Sequence, residues 1–309
     1  MQWNQAFVNP ITDIPVTKSL YDTWKDVSLL RLHFTIRSEG MIFPPFHGAL
    51  WHGVIGAQLR QQDPLAYLQL WEAAQGGRYA LRAPFGPTEI AAGQNTHFEI
   101  TLWGDDILLV NSVVAAVMAA CQSLGTRMTT CRRGSAALEA IHAYSLEGPT
   151  PLSVTDETSL RKGVIRGGDL LHRFASMQPS AVRLTLESPL RFKNQNQLLR
   201  QHPTFPQLVK RLFGRLRQIK PETNDPAIFK ITDDARQIQS NGSVIWQDWA
   251  RYSARQQSEM AFGGLIGFLE YQGEQLAPFL PWLALGEWLQ IGGKTTFGFG
   301  AYRLNIASS

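Results

Sequence analysis

The order in which strand-like and helix-like patterns of apolar residues follow one another along the chain is the feature that most constrains its fold. Apolar and polar residues alternate over residues 30–37 and again over 96–103, which is the pattern of half-buried β-strands. Helices are predicted at 46–62, which halts before a proline, and at 107–124, which is strongly apolar and stops at a glycine. A strand at 138–144 follows. The first half therefore predicts strand, helix, strand or strands, helix, strand.

The second half repeats this order. Its segments are a strand at 181–187, an amphipathic helix at 204–219, strands near 244–252 and 265–271, a helix at 278–290, and a final strand carrying Phe297, Phe299 and Ala301. Two β-α-β-β-α-β units in tandem describe the chain most economically, so the sequence predicts an α+β protein with two ferredoxin-like (RRM-like) domains. We expect these domains at 1–145 and 181–309, joined by a basic linker at 146–180.

Composition narrows the classes of protein to which the chain can belong. With 309 residues, 44% of them hydrophobic, and no low-complexity tract, it predicts a folded protein of two domains. The net charge of +4 permits a polyanionic partner without requiring one. Cys121 and Cys131 lack the spacing of a zinc site or a disulfide framework. No signal peptide is evident, and polar residues interrupt the longest apolar run, 107–121, so we expect a cytoplasmic protein that does not span a membrane.

A glycine-rich segment, 292–300, lies between the last predicted helix and strand. Consecutive glycines allow backbone N–H groups to point into one concavity, and a lysine and two threonines add a charge and hydroxyl donors. These features predict an anion site formed by Gly292, Gly293, Lys294, Thr295, Thr296, Gly298 and Gly300. The spacing fits neither a Walker A loop nor a dinucleotide-binding fingerprint. A glycine-rich hairpin that merely closes a sheet is the alternative.

The first predicted helix carries an unusual number of glycines. Each of Gly48, Gly53 and Gly56 costs about 1 kcal/mol relative to alanine in a helix interior, which suggests close approach by another backbone or by a ligand. His52 lies one turn from two of these glycines. His47 lies five residues earlier, so the two side chains point about 140° apart and do not share one small site.

The chain resembles the CRISPR-associated repeat-cleaving endoribonucleases, the Cas-six group of the RAMP superfamily. The resemblance is carried chiefly by residues 263–286 and by Ile-Gly-Gly-Lys-Thr-Thr-Phe-Gly-Phe-Gly-Ala-Tyr at 291–302. Three further segments, at 43–50, 93–104 and 186–193, fit the layout of that family. Together these segments are distributed over most of the chain.

The resemblance implies two ferredoxin-like domains that bind CRISPR repeat RNA and cleave it without a metal or cofactor. The 2′-hydroxyl of the RNA attacks the phosphate, leaving a 2′,3′-cyclic phosphate and a 5′-hydroxyl. The family places a histidine on or near its first helix, which implies His52 or His47 as the catalytic residue, although many members carry it nearer the end of that helix. Phosphate binding is implied for Lys294 and the glycine loop. Candidates for the RNA backbone are Arg31, Arg37, Arg161, Lys162 and Arg166.

Two other hypotheses remain open at this stage. The chain could be a non-catalytic RNA-binding subunit of a CRISPR complex, in which case other Cas proteins are its partners. It could also be an α+β scaffold without a nucleic-acid role, which predicts no salt-sensitive affinity for RNA. No HExxH motif or paired Cys/His cluster points to a metal centre.

Overall fold

A computed structural model describes residues 15–72, 78–83, 85, 88–124, 135–153, 157–194, 197–223, 235–253 and 258–308. Its helices are α1 (Pro15–Trp24), α2 (Gly48–Gln62), α3 (Pro64–Leu70), α4 (Val110–Ser123), α5 (Glu157–Gly163), α6 (Gly167–Ala175), α7 (Phe205–Ile219) and α8 (Leu280–Leu289). Its strands are β1 (Ser28–Ser38), β2 (Met41–Ile42), β3 (Tyr79–Arg82), β4 (Glu89–Ile90), β5 (Asn95–Trp103), β6 (Ala136–Ser145), β7 (Gly148–Pro151), β8 (Ile165–Arg166), β9 (Pro179–Leu190), β10 (Lys193–Asn194), β11 (Gln197–Leu198), β12 (Gln239–Ser253), β13 (Ser258–Gln272) and β14 (Tyr302–Ser308).

The first domain is an antiparallel sheet in the order β3-β5-β1-β6-β7. The apolar face of β1 and β5 is buried as their alternation predicts, with Phe34 opposite Phe98 in the register. Trp51 of α2 stacks on Phe98 with ring centroids 4.3 Å apart. Helices α2 and α4 cover this face and contact each other, so the opposite face of the sheet is left for contacts outside this core.

The second domain is an antiparallel sheet in the order β12-β13-β9-β14. Helix α7 begins with a capping box formed by Thr204 and Gln207 and packs its apolar stripe on the sheet. Helix α8 contacts α7 and is buried over almost its whole length. In both domains the strand before the second helix and the strand after it flank the first strand, and the strand after the first helix is at the edge of the sheet. This is the ferredoxin-like arrangement, so the predicted fold class is confirmed.

The described part of the predicted linker is folded. Strand β8 pairs with the start of β1, and α6 packs against α8. The backbone N–H groups of Gly167 and Gly168 donate hydrogen bonds to the carbonyls of Val27 and Lys25. A Cβ at Gly167 would lie 2.3 Å from the carbonyl oxygen of Trp24, so glycine is needed for this close approach. The boundaries at residues 146 and 180 stay a prediction.

One helical segment, Gly104–Ser123, has the length and apolar composition that crossing a membrane would require. Its first six residues are a 3₁₀ turn and the rest is α4. Val113, Val117 and Ala120 are fully buried against the sheet of the first domain. A core helix of this kind meets the same length and composition criteria as a membrane span.

Candidate functional site

The glycine-rich segment after α8 forms a tight loop before the last strand. Gly292, Lys294, Gly298 and Gly300 all have positive φ, from 65° to 88°. Thr295–Phe297 form one 3₁₀ turn, and the strand begins only at Tyr302. The prediction that Phe297, Phe299 and Ala301 alternate on a strand is therefore wrong, because left-handed glycines on both sides of Phe299 turn the chain there.

Two of the glycines in this loop allow the backbone to pack closely against other parts of the protein. A Cβ at Gly300 would lie 1.8 Å from the carbonyl oxygen of Ile291, and one at Gly298 would lie 3.1 Å from the Cα of Gly48 in α2. Both glycines are buried, and so is Thr295, with 4% of its surface exposed. These three residues were predicted to contact the ligand, and the structure corrects that prediction because their surroundings are protein.

Several backbone N–H groups of the loop already donate hydrogen bonds to carbonyls of the protein. Gly293 donates to the carbonyl of Arg191 at 3.0 Å, and Gly300 donates to that of Pro189 at 2.9 Å. The N–H groups of Phe297, Gly298 and Phe299 bond to carbonyls inside the loop. The predicted row of N–H donors is thus partly occupied. The surface of the loop is formed by Gly293, which is exposed, and by Gly292, Lys294 and Thr296, which are half-buried.

Lys294 extends over the aromatic rings beside the loop. Its Nζ lies 4.3 Å from the ring centroid of Phe262 and 5.4 Å from that of Phe297. The negative face of an aromatic ring attracts a cation placed over it. The ammonium is therefore placed at the surface of the loop, beside the ring that also contacts His52.

His52 lies on α2 where the first domain meets this loop. Its imidazole centroid is 3.9 Å from the ring centroid of Phe297, and it is stacked against Trp71 at 6.0 Å. Nδ1 of His52 is 2.6 Å from the hydroxyl of Tyr79 on β3. The side chain is half-buried, so a histidine from one domain and a loop from the other meet at a surface that solvent reaches.

His47, the second predicted catalytic residue, has a different environment. It is the residue before α2 and is fully buried. Its ring packs on Phe43 with centroids 4.4 Å apart. The structure separates the two histidines, as their spacing predicted, and only His52 reaches the surface near the glycine loop.

The structure accounts for the glycines in α2. A Cβ at Gly48 would lie 2.2 Å from the carbonyl oxygen of Phe297, and one at Gly56 would lie 2.5 Å from the indole ring of Trp71. Nothing lies within 4 Å of a Cβ at Gly53. Close approach by another backbone, as the sequence suggested, is thus found at Gly48, where the helix meets the glycine loop directly.

The predicted RNA-contacting arginine in the middle of β1 is buried. Arg31 is 6% exposed, and its Nε donates to Glu99 at 2.7 Å. Its guanidinium also lies over the rings of Tyr144 and Trp288. The expectation that Arg31 faces a ligand is wrong, because the second domain covers this part of the strand through Trp288.

The other predicted cations are exposed but do not surround one point. Arg37 lies near one end of β1, whereas Arg166 donates to the carbonyl of Asp26 and the hydroxyl of Ser28 at the other end. Ser28 and Arg37 are nine positions apart, which corresponds to about 30 Å in an extended strand. Arg161 and Lys162 are exposed at the end of α5. These residues could contact an extended polyanion along the domain, but not a single phosphate.

A group of histidines that sequence reasoning did not bring together lies on the open face of the first sheet. His33 stacks on His97 with ring centroids 5.0 Å apart, and His142 lies 6.3 Å from His33. Nδ1 of His33 is 3.3 Å from Glu99. Their strand register is the signal that could have found them, because His33 is directly opposite both Glu99 and His142. Within the described residues, no group of three or more His, Cys, Asp or Glu side chains is arranged to hold a metal ion.

Sequence and structure comparisons identify relatives of this chain. Residues 184–302 match the family model of the CRISPR-associated endoribonuclease Cas6. No curated protein sequence matches the chain. A solved partial Cas6-RT-Cas1–Cas2 complex is similar over 92% of this chain, with a TM-score of 0.66 and 14% identity. This chain spans 47% of the length of that relative.

Two further solved structures match over nearly the whole of both chains. Thermus thermophilus Cas6 has a TM-score of 0.61 and 13% identity, covering 90% of this chain and 99% of its own. A RAMP protein described as binding different RNA substrates has a TM-score of 0.50 and 12% identity, covering 89% and 99%. At these identities the structures show a shared fold, and the family match covers the segment that carries the glycine loop. The resemblance predicted from the sequence is therefore confirmed: residues 184–302 match the Cas6 family model, and the chain shares the fold of solved Cas6 and RAMP proteins.

Proposed function

We propose that the protein is a metal-independent endoribonuclease that binds CRISPR repeat RNA and cuts precursor transcripts into guide RNAs. The observation that carries the proposal is the contact between His52 and the glycine loop, with the imidazole 3.9 Å from the ring of Phe297. A group that transfers protons at neutral pH thereby lies beside a lysine and a surface loop suited to a phosphate.

The chemistry assigns a role to each side of this contact. Attack by a 2′-hydroxyl on the adjacent phosphate requires a base to accept its proton, an acid to protonate the leaving 5′-oxygen, and positive charge for the pentavalent intermediate. We assign the base to His52. Lys294 would stabilise the charge, and the surface residues Gly292, Gly293 and Thr296 would position the phosphate. The products are a 2′,3′-cyclic phosphate and a 5′-hydroxyl.

The solved relatives suggest the partners. One is a partial Cas6-RT-Cas1–Cas2 complex, and another is a Cas6 product complex. We propose repeat RNA as the substrate and other Cas proteins as further partners, in the cytoplasm. A non-catalytic RNA-binding subunit of a CRISPR complex is the alternative, because the fold and the loop would serve binding equally well.

Cleavage of repeat RNA in EDTA tests this function directly. The purified protein should cut the repeat transcribed from its own genomic array at one position, and the 5′ fragment should end in a cyclic phosphate. A repeat with a 2′-deoxy nucleotide before the cut should be bound but remain intact. Tight binding without cleavage would favour the subunit, and the lack of salt-sensitive binding would exclude both RNA functions.

Lys294→Gln tests the loop as a phosphate site. Glutamine keeps much of the stem over the ring of Phe262 but removes the charge, so RNA affinity should fall and the slope of log affinity against log salt should decrease by about one. Lys210→Gln, at an exposed position of α7, is the matched control. Titrations at several salt concentrations measure both variants. Equal behaviour of the two would remove Lys294 from the proposed interface.

A further inference from the structure

We infer that Arg82, the last residue of β3, is a positioning residue that clamps the two ends of the glycine loop and thereby sets the distance between the loop and His52. One nitrogen of its guanidinium, Nη2, donates to the carbonyl oxygen of Glu287 at 2.7 Å and to that of Tyr302 at 3.1 Å. Glu287 lies in the last turn of α8, before the loop, and Tyr302 begins β14 after it. The importance of this clamp for cleavage rests on the proposed function.

The other nitrogens of the guanidinium fix its position. Nη1 of Arg82 donates to Glu187 of β9 in the second domain, and Nε lies 3.5 Å from Glu99 of β5 in the first. Arg82 is only 7% exposed, so movement away from these carboxylates would leave buried charges unpaired, which is strongly destabilising. A planar guanidinium has five N–H donors and can face two carboxylates and two carbonyls at once, whereas a lysine ammonium has three donors. The clamp therefore requires an arginine.

The loop held by this clamp packs against the edge of β3. Strand β3 is the edge strand of the first sheet, and a Cβ at Gly298 of the loop would lie 3.5 Å from the carbonyl oxygen of Leu81, the residue before Arg82. Phe297 precedes Gly298 and carries the ring whose centroid is 3.9 Å from that of the His52 imidazole. Displacing the clamped ends of the loop would therefore move the ring of Phe297 relative to the imidazole.

Arg31 provides a comparison within the same buried network. It is 6% exposed, and its Nε donates to Glu99 at 2.7 Å. It reaches the second domain at the ring of Trp288 and at the carboxylate of Glu287, 3.9 Å away. Among the described residues, these contacts of Arg31 are to side chains, whereas Arg82 donates to the backbone at both ends of the loop. If Arg82 only held the domains together, the two arginines would be equivalent, but the clamp predicts that they differ.

Arg82→Lys tests the inference because it keeps the charge and gives up the planar set of donors. The ring of Phe297 shifts the resonances of the His52 imidazole, so ¹³C labelling of the seven histidines reports the position of the loop. His52→Ala assigns the resonance, and Phe297→Leu measures how much of its shift comes from the ring. Arg82→Lys should remove much of that shift. The single-turnover cleavage rate should fall about 10²-fold, as for a misplacement of about 1 Å at a reacting centre. Affinity for a repeat blocked by a 2′-deoxy nucleotide should fall far less, because the groups that contact phosphate are retained.

Arg31→Lys is the matched control. It also replaces a buried guanidinium beside Glu99, so it should lower the free energy of unfolding in urea by a comparable amount. The His52 resonance and the cleavage rate should remain as in the wild type. An unmoved His52 resonance in Arg82→Lys, or an equal displacement in the two lysine variants, would overturn the inference.

Glu187→Gln decides the question if Arg82→Lys does not fold. It removes the charge that faces Nη1, so the His52 resonance should move in the direction set by Phe297→Leu but by a smaller amount. An unmoved resonance in this folded variant would equally overturn the inference. Because the spectra need no RNA, they decide on the clamp even if the wild-type protein binds repeat RNA without cutting it, a result that would disprove the proposed function alone.

Discussion

His52 and the histidines on the open face of the first sheet differ in the side chains that surround them. His52 is enclosed by Phe297, Trp71 and Tyr79, and its Nδ1 faces a neutral hydroxyl. His33 and His97 stack on an open sheet face, and the Nδ1 of His33 faces the carboxylate of Glu99. One histidine is thus set in an aromatic contact between domains, while the others border an ion-pair network.

The difference shows why proximity of titratable groups alone is a poor guide to a reactive site. Glu99 holds Arg31 at 2.7 Å and lies 3.5 Å from Arg82, so its charge is already shared among buried arginines. Burial and the neighbouring imidazole of His33 lower the pKa of His97, which favours its neutral form. Nδ1 of His52, by contrast, meets the hydroxyl of Tyr79. We therefore expect the histidines of the sheet face to matter for structure and His52 for chemistry.

The sharpest comparison is between His52→Ala and His97→Ala. Loss of a general base costs about 10²- to 10⁴-fold in rate, so His52→Ala should nearly abolish cleavage while RNA binding persists. His97→Ala should change the single-turnover rate by less than about threefold, since its ring contacts His33 away from the loop. Rates at saturating protein measure both. A large loss of rate in His97→Ala with normal cutting by His52→Ala would reverse the comparison.

Glu99→Gln tests the role of the sheet-face network in stability. Burial alone would raise the pKa of Glu99, but the charges of Arg31 and Arg82 and hydrogen bonds from Arg31 and His33 outweigh it and hold the pKa well below 4.5. Removing the charge takes one counterion from each of the buried residues Arg31 and Arg82, although Arg82 keeps its pair with Glu187, so the free energy of unfolding at pH 7 should fall by about 3 kcal/mol.

The pH dependence of this variant checks the cause. A lowered carboxylate pKa stabilises the folded protein above the ordinary value of 4.5, and the contribution is lost as pH falls through the folded pKa. The difference between wild type and Glu99→Gln in urea unfolding should therefore shrink below about pH 4.5. Glu270→Gln, which breaks the exposed pair with Arg183, should hardly change stability at any pH. A pH-independent difference would mean that packing, not charge, is lost.

The periodicities were sufficient to predict the fold. Two-residue alternation placed β1, β5 and β9, helical spacing placed α2, α4 and α7, and repetition of the order gave the tandem arrangement. The predicted linker, whose described part is folded, and the glycine loop were exceptions. Phe297, Phe299 and Ala301 have the alternation of a strand, but the intervening glycines adopt positive φ to pass the carbonyl of Ile291 and the Cα of Gly48. Those contacts are non-local, so spacing alone does not reveal them.

The candidate site could be predicted only in part. Glycines flanking His52 correctly indicated close approach at that helix, and the loop and lysine were identified by composition. Tyr79 and Trp71 could not be assigned, because nothing in their local sequence indicates that β3 and the end of α3 converge on α2. Arg31 was misjudged for a related reason. An alternating strand shows which residues leave the core of its own domain, but not which of them another domain covers.

We expect the smallest effect from alanine substitutions at two glycines of α2, the helix that carries His52. In Gly48→Ala, the new methyl group would meet the carbonyl oxygen of Phe297 at 2.2 Å and would push the loop from the helix. We expect a loss of about 1–3 kcal/mol in the free energy of unfolding, together with slower cleavage, because the loop and the imidazole separate. Gly53→Ala faces open space and should stabilise the helix by up to about 1 kcal/mol. Urea unfolding and single-turnover rates measure both. Normal cleavage by Gly48→Ala despite reduced stability would mean that the contact between helix and loop is structural only. The aromatic surroundings of His52 would then not distinguish this histidine from those of the sheet face.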